Sequence, residues 1–97
     1  MLALIAIYKI KEGKMEEALE ISRELVQYGR NIDPGLLDMF AYTVKGHKHK
    51  NEIIFVENYV DGDAFNRIIS TAQNLAAYRK LKQISEAADN LRCIAIE

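Results

Sequence analysis

The residues best suited to chemistry in this chain lie on one short strand near its middle. Side chains alternate across a strand, so Ile53, Phe55, Glu57 and Tyr59 share one face. Glu57 is thus a carboxyl group among apolar neighbours, and burial raises the pKa of such a group and suits it to proton transfer. Its alternative role is structural, with the carboxylate bonded to an arginine or to backbone amides. Tyr59 can donate a hydrogen bond to a substrate oxygen or pack as an aromatic core residue.

The remaining polar motifs do not assemble a second reactive site. His47 and His49 flank a lysine in a polar hairpin loop, where a solvated turn is favoured over a surface metal site. The single cysteine, Cys93, cannot form an internal disulfide, which fits a reducing cytoplasm. We predict that it packs in a strand. The sequence contains no phosphate-binding glycine loop, zinc knuckle or nucleophile elbow. We therefore predict neither a metal nor a bound cofactor.

Three stretches have strand patterns that are apolar on both faces: residues 2–11, 36–44 and 53–59. Along the first, Leu2, Leu4, Ala6, Tyr8 and Ile10 point one way, whereas Ala3, Ile5 and Ile7 point the other. A solvated sheet face would carry polar side chains at alternate positions. The chain has too few helices to cover two apolar faces. We predict that a second copy of the chain covers one of them, which gives a homodimer through the sheet faces.

Capping residues and helical periodicity predict helices around these strands. Apolar residues recur at helical spacing after Gly13, the predicted N-cap, and this pattern ends near residues 28–31. An Asp-Pro-Gly sequence at residues 33–35 then predicts a turn. Asp61 is predicted to cap the helix that follows the third strand, with its carboxylate near the positive end of the helix dipole.

The last part of the chain is predicted to hold one more helix and one more strand. Capping-box spacing at residues 70–73 indicates a new helix start, and the helix runs towards Ala88. A short strand follows over residues 92–97. The predicted order is β-α-β-β-α-α-β, which is typical of an α+β, ferredoxin-like fold with an antiparallel four-stranded sheet. We expect one domain over residues 1–97.

The composition argues against two classes of partner. Lys plus Arg is 13 and Asp plus Glu is 14, so the chain lacks the concentrated positive charge that nucleic acids attract. Its longest mainly apolar stretch, residues 1–10, is far below the roughly 20 residues needed to cross a bilayer. No secretory leader is evident, and we predict a cytoplasmic protein with no membrane partner.

Three segments of the chain share features with a known family. Residues 7–14 join a strand to a helix through a glycine, residues 33–36 lead into the second strand, and residues 55–65 run from the third strand into a helix. Together they resemble the antibiotic biosynthesis monooxygenase family, whose members are dimeric α+β barrels of ferredoxin-like subunits. The resemblance implies a homodimer joined through sheet faces and a ligand pocket between sheet and helices. Family members include cofactor-free oxygenases of aromatic polyketides or quinols, haem-degrading enzymes and proteins of unknown activity.

The chain departs from the family pattern at positions that bear on the reaction. It has no tryptophan, and Tyr59 occupies the position where many members place one. Ile68 and Gln73 fall where members often have histidines, and Ala6 falls where haem-degrading members need an asparagine. Haem degradation is therefore disfavoured, whereas oxidation of a quinol-type compound stays open without the usual histidines.

By this resemblance, a pocket on the same face as Glu57 would bind a small aromatic ligand. Glu57 would assist proton transfer, and Tyr8 and Tyr59 would orient the ligand. Further ligand-binding candidates are Tyr42, Phe55 and Phe65. The predicted function is cofactor-independent monooxygenation of a small aromatic or quinol-type compound. A non-catalytic binding or sensor protein with the same pocket is the alternative, and an isomerase-like or lyase-like relative is a third possibility.

Overall fold

Strands and helices follow one another along the chain in the predicted order. The computed structural model describes residues 1–96. Its elements are β1 (Leu2–Ile10), α1 (Met15–Ile32), β2 (Leu36–Thr43), a one-turn 3-10 helix (His47–His49), β3 (Glu52–Tyr59), α2 (Gly62–Ala72), α3 (Ala76–Gln83) and β4 (Ser85–Ile94). This order confirms the α+β, ferredoxin-like prediction. The predicted last strand included Glu97, which lies outside the described residues.

A single antiparallel sheet holds all four strands in the order β2-β3-β1-β4. β1 lies between β3 and β4, so Ile5 is opposite Val56 on one side and Leu91 on the other. β1 and β3 are the central strands of the sheet, and they carry the most continuous apolar sequence. β2 and β4 form the two edges. The four strands therefore place side chains from distant parts of the chain in rows across the sheet.

Strand β2 contains one extra residue near its start. Leu36 pairs with Tyr59, but the next pair joins Asp38 to the residue before Tyr59, so Leu37 is the extra residue. A β-bulge of this kind sets two residues of one strand against one residue of its neighbour. It allows both Leu36 and Met39, three positions apart, to be buried on the helix side.

Helix α1 packs along the sheet through one apolar stripe. The buried residues of the stripe are Ala18, Ile21, Ser22, Leu25 and Gly29. A Cβ at Gly29 would overlap the side chain of Met39, so the glycine allows α1 to approach β2 closely. The prediction of Gly13 as N-cap is wrong, because Lys14 holds that position. Gly13 instead has a φ of 81° in the preceding turn, a left-handed conformation that glycine adopts without strain.

Charged side chains tie the turn before β2 to helix α2. The guanidinium of Arg67 donates hydrogen bonds to both carboxylate oxygens of Asp33, at 2.8 and 3.0 Å. Asp33 also accepts a hydrogen bond from the backbone N–H of Gly35 at 2.7 Å. The bonds from Arg67 and then from Gly35 lower the pKa of Asp33 to about 2. At the start of α2, Asp61 accepts from the backbone N–H of Ala64 at 2.9 Å, which confirms it as the N-cap.

The boundary between the last helix and the last strand differs from the prediction. The hydroxyl of Ser70 donates to the carbonyl of Asn66 inside α2, so it does not cap a new helix. The last strand begins at Ser85 instead of Arg92, and the preceding helix ends at once before it. The alanines of this segment favour a helix by propensity, but pairing with β1 decides its conformation. β4 is an exposed edge strand, so its sequence lacks the apolar alternation of a buried one.

The sheet has two unlike faces. The inner face packs against the three helices and forms the core, with Ile53 and Tyr59 among its most deeply buried side chains. The opposite surface, here called the outer face, carries Ala3, Ile5, Ile7, Phe40, Tyr42, Ile54, Val56 and Leu91. The helices lie on the inner side, so these outer side chains are half-buried or exposed, up to 56% for Leu91.

Candidate functional site

A cavity of about 100 Å³ lies between the inner face of the sheet and the three helices. Most of its wall is apolar, with leucine and isoleucine side chains contributed by all three helices. An apolar cavity of about 150 Å³ in another protein accommodates benzene. This cavity has about two-thirds of that volume, so its enclosed part suits a ligand no larger than one aromatic ring.

The small side chain of Ala6 leaves room for the cavity above β1. Ala6 lies between Phe55 on β3 and Asn90 on β4. Leu4 and Tyr8, the neighbours of Ala6 on the same face of β1, also line the cavity. A ligand above Ala6 would thus be surrounded by side chains from three adjacent strands.

One wall of the cavity carries the carboxyl group of Glu57, which is hydrogen-bonded to the side chain of Tyr59. The hydroxyl of Tyr59 donates a hydrogen bond to Oε1 of Glu57 at 2.5 Å. Burial raises the pKa of Glu57, and the hydrogen bond from Tyr59 opposes part of this shift. Burial also raises the pKa of Tyr59, and the neighbouring Glu57 adds to the effect. Tyr59 therefore stays a hydrogen-bond donor, while Glu57 is a carboxyl group whose proton is held more tightly than in water.

Tyr8 places a second polar side chain in the cavity, towards the end opposite Glu57. Tyr8 packs edge-on against Phe55, with ring centroids 5.7 Å apart. Burial raises the pKa of Tyr8, and the neighbouring Tyr78 and Glu57 act in the same direction. Glu57 is opposite Leu4, and Tyr8 is four residues further along β1, a distance of about 13 Å on a strand. The side chains of Glu57 and Tyr8 therefore enter the cavity from different ends.

Most of the predicted site residues come together here. Tyr8, Phe55, Glu57 and Tyr59 all line the cavity. Phe65 is buried behind them and packs edge-on against Tyr59, with ring centroids 5.1 Å apart. Phe65 thus supports the cavity wall from α2. The roles of these residues in ligand binding stay predictions.

Tyr42 lies on the outer face of the sheet and does not line this cavity, which corrects its predicted place in the pocket. It pairs with Ile54, and 53% of its surface is exposed. Counting alternate residues from the buried Leu36 would place Tyr42 on the inner face. The extra residue Leu37 reverses that alternation, and a bulge of this kind is not evident from periodicity alone.

Two polar residues that line the cavity, Asn90 and Tyr78, are not predicted as site residues from the sequence. The predicted helix through residue 88 hides Asn90, because only a strand that begins at Ser85 places it opposite Ala6. The available signal was the alternation of positions 88, 90 and 92 on a strand. Tyr78 follows the apolar periodicity of α3, and its hydroxyl becomes informative only when it lies beside Tyr8.

The other candidate motifs lie apart from the cavity. Within residues 1–96, no group of three or more histidine, cysteine, aspartate or glutamate side chains is arranged to hold a metal ion. His49 contacts Glu52 in the hairpin region, and Cys93 lies opposite Ala3 in the sheet. None of the helices within the same residues has the length and apolar character needed to span a bilayer.

The fold and the cavity define a class of protein: a ferredoxin-like α+β subunit with a small apolar cavity between one sheet and its helices. A family model described as antibiotic biosynthesis monooxygenase matches residues 1–81. The chain belongs to this family, which confirms the resemblance noted in the sequence.

Solved structures from several bacteria share this fold. A mutant of SnoaB, a cofactor-independent oxygenase from Streptomyces nogalater, has a TM-score of 0.80 and 14% identity over 99% of this chain and 93% of that chain. A proposed antibiotic biosynthesis monooxygenase from Nitrosomonas europaea has a TM-score of 0.85 and 16% identity over 100% of both chains. A NIPSNAP family protein from Agrobacterium tumefaciens has a TM-score of 0.72 and 19% identity over 99% of this chain and 86% of that chain. Likeness at these identities establishes the fold alone, and a search of curated proteins gives no significant match.

Proposed function

We propose that this protein is a cofactor-independent oxygenase that acts on a single-ring phenol or quinol. The observation that carries the proposal is the carboxyl group of Glu57, which faces an apolar cavity about one ring in size and has its pKa raised by burial. Membership of the antibiotic biosynthesis monooxygenase family supports this class of reaction. SnoaB, which shares the fold, is itself described as a cofactor-independent oxygenase.

In the proposed reaction, Glu57 removes the proton from a ring hydroxyl. A carboxylate whose pKa is raised towards that of the phenol is a stronger base than a carboxylate in water. The hydroxyl of Tyr59 holds Oε1 of Glu57, and Oε2 is left to accept the ring proton. Tyr8, towards the far end of the cavity, would donate to a second ring oxygen.

The deprotonated ring then reacts with molecular oxygen, which is the oxidant. A ring carbon bonds to one oxygen atom, and a proton on the other atom completes a hydroperoxide. Loss of water, with departure of the hydrogen from that carbon, gives a quinone. One oxygen atom ends in the quinone and the other in water, so the electrons lost by the ring equal those gained by oxygen. The apolar wall of the cavity would keep bulk water from the reactive intermediate.

The same geometry also supports a binding or sensor protein that does not change its ligand. Burial raises the pKa of Glu57 more than the bond from Tyr59 lowers it. A protonated Glu57 would donate a hydrogen bond to a ligand oxygen but would not remove a proton from it. The protonation state of Glu57 at neutral pH thus separates the two functions.

We also propose that two copies of the chain associate through their outer faces. The family is typically homodimeric. The outer face is apolar along both central strands, at Ile5, Ile7, Ile54 and Val56, and no helix within residues 1–96 covers it. Removal of this apolar surface from water favours association. Because the cavity opens on the other side of the sheet, this association leaves ligand access free.

Oxygen consumption with a panel of single-ring phenols and hydroquinones tests the proposed reaction. We expect at least one compound to be oxidised above the rate without protein, with the matching quinone as product. Glu57→Gln should lower kcat/KM by about a hundredfold or more, because it removes the base and keeps the shape. Glu20→Gln, on the exposed side of α1, is the matched control and should leave the rate unchanged.

The outcomes separate the two functions. Thermal shift by a ring compound that is recovered unchanged, without oxygen uptake, would favour the binding protein. If no ring compound is oxidised and none is bound, the basis of both functions is removed. Equal activity of wild type and Glu57→Gln would exclude Glu57 from the reaction.

A further inference from the structure

We infer that the ligand carries an acidic group, a carboxylate on the aromatic ring, which Arg92 binds at the side of the cavity next to β4, while Lys82 adds positive charge further along the same side. This inference rests on the proposed ring-binding function of the cavity. It goes beyond that function because it specifies the charge of the ligand and its orientation.

The cavity reaches solvent along β4. Asn90 lines the cavity and is also exposed to solvent. Its neighbours on the same face of the strand, Ala88 and Arg92, are exposed as well. The helices cover the other three strands of the inner face more fully, so β4 is the open side of the site along the sheet. On the helix side, Tyr28 of the cavity wall is also exposed. A charged substituent could stay hydrated at the β4 side while the ring is buried.

Two cations flank this open side, and each lies over an aromatic ring next to the cavity. The guanidinium carbon of Arg92 is 4.9 Å from the ring centroid of Phe65, which in turn packs against Tyr59. Nζ of Lys82 is 5.8 Å from the ring centroid of Tyr78, at the Tyr8 end. A cation over an aromatic face is held in place, and its N–H groups at the edge stay able to bind an anion.

Neither cation takes part in an ion pair within residues 1–96. The basic partners of the ion pairs there are Lys9, Lys14, His49, Arg67 and Lys80. The carboxyl group that lines the cavity, Glu57, is bonded to Tyr59 and does not neutralise Arg92. The open side of the site therefore has positive charge that a bound carboxylate would complement.

The positions of Glu57 and Arg92 also set the shape of the ligand. Both lie opposite Leu4, one on β3 and the other on β4, so their backbones are two strand spacings apart, about 9.5 Å. Ala6, which lies between Phe55 and Asn90, is the next inner-face position along β1. A ring above Ala6 would therefore direct its hydroxyl towards Glu57, and a carboxylate on the β4 side of the ring towards Arg92.

Paired ligands that differ only in charge test this inference. We would use (dihydroxyphenyl)acetic acid and its uncharged methyl ester, and measure the Kd of each by calorimetry, together with KM where oxygen is consumed. Wild-type protein should bind the acid about tenfold more tightly than the ester, and added salt should reduce this preference. Arg92→Gln should remove most of the preference and leave the Kd of the ester unchanged. Lys82→Gln should remove a smaller part.

Arg79→Gln, an exposed arginine on α3 outside the cavity wall, is the matched control and should behave as wild type. Arg92 is exposed, and a thermal melt of each variant will verify that it folds. Equal binding of acid and ester by wild type, or equal effects of Arg92→Gln and Arg79→Gln, would overturn the inference. Oxidation of the ester as fast as the acid would leave the oxygenase proposal standing alone. Preferred binding of the acid without oxygen uptake would support the acidic ligand and contradict the oxygenase proposal. If the protein binds neither compound, both proposals are refuted.

Discussion

The two faces of the sheet are built from the same strands but carry different kinds of side chain. On the inner face, Glu57, Tyr8 and Tyr59 place polar groups inside an apolar cavity. On the outer face, the neighbouring positions Ile5 and Val56 are purely apolar and have no helix over them. One-residue alternation thus separates the side chains of the proposed ligand site from those of the proposed association surface. Because the two sets do not overlap, substitutions can test each face separately.

A charged side chain introduced at the centre of the outer face should produce the largest difference between the two faces. In Ile5→Glu, association would bury an unpaired carboxylate, which costs several kcal/mol, so the dimer should weaken at least about a hundredfold. Sedimentation velocity across a concentration series measures the change. The inner face should keep its affinity for ring compounds.

Gln27→Glu, on the exposed side of α1, is the matched control for the added charge and should sediment like wild type. A wild-type protein that stays a stable monomer at micromolar concentration would contradict the assignment of the outer face. So would an Ile5→Glu dimer as tight as that of wild type.

The same tyrosine-to-phenylalanine change should have unequal effects on the two faces. Tyr59→Phe leaves Glu57 without its hydrogen-bond donor in a buried site, which should cost about 1–3 kcal/mol of unfolding free energy. Tyr42→Phe removes a hydroxyl that is exposed within the subunit, and it should change the unfolding free energy of the subunit by less than about 0.5 kcal/mol. Urea unfolding of the two variants beside wild type measures both values. Equal losses would mean that the bond between Tyr59 and Glu57 does not stabilise the inner face.

The pH dependence of stability should reveal Glu57 as the titrating group of the inner face. The folded protein holds this proton more tightly than the unfolded chain, whose glutamates have a pKa near 4.5. The contribution is therefore fully present below pH 4.5 and is lost as the pH rises to the raised pKa. Urea unfolding in steps of pH should show wild type losing stability over this window, whereas Glu57→Gln should not. Parallel curves for the two proteins would mean that the pKa of Glu57 does not change on folding.

Asp33, which lies outside both faces, should change stability with pH in the opposite direction and by a smaller amount. Arg67 lowers the pKa of Asp33 from 3.8 to about 2, so its contribution is present above pH 3.8 and is lost as the pH falls through 2. The pair is exposed at Arg67, and solvent screening keeps the effect small. Acid unfolding of wild type and Asp33→Asn should diverge only in this window. Identical acid curves would contradict the assignment.

The sequence predicts the inner face well where strand alternation is regular. Ile53, Phe55, Glu57 and Tyr59 share a face because β3 has no bulge, and β1 behaves the same way around Ala6. The order of the elements also follows from local signals, because caps such as Asp61 act within a few residues.

The rest of the site depends on contacts between distant segments. Leu37 reverses the alternation of β2 and moves Tyr42 to the outer face, and only the pairing with β3 reveals this extra residue. Asn90 and Arg92 reach the open side because β1 pairs with a segment whose composition favours a helix. No local pattern could show that Tyr8 and Tyr78 line the same cavity.

The space above β1 also has an evolutionary consequence. It depends on one alanine, Ala6, whose flanking residues Ile5 and Ile7 belong to the other surface. A change in that single codon would alter the volume of the cavity and leave the outer face unchanged. Under the proposed function, selection could therefore diversify ligand preference among descendants of this gene in single mutational steps, without first rebuilding the scaffold.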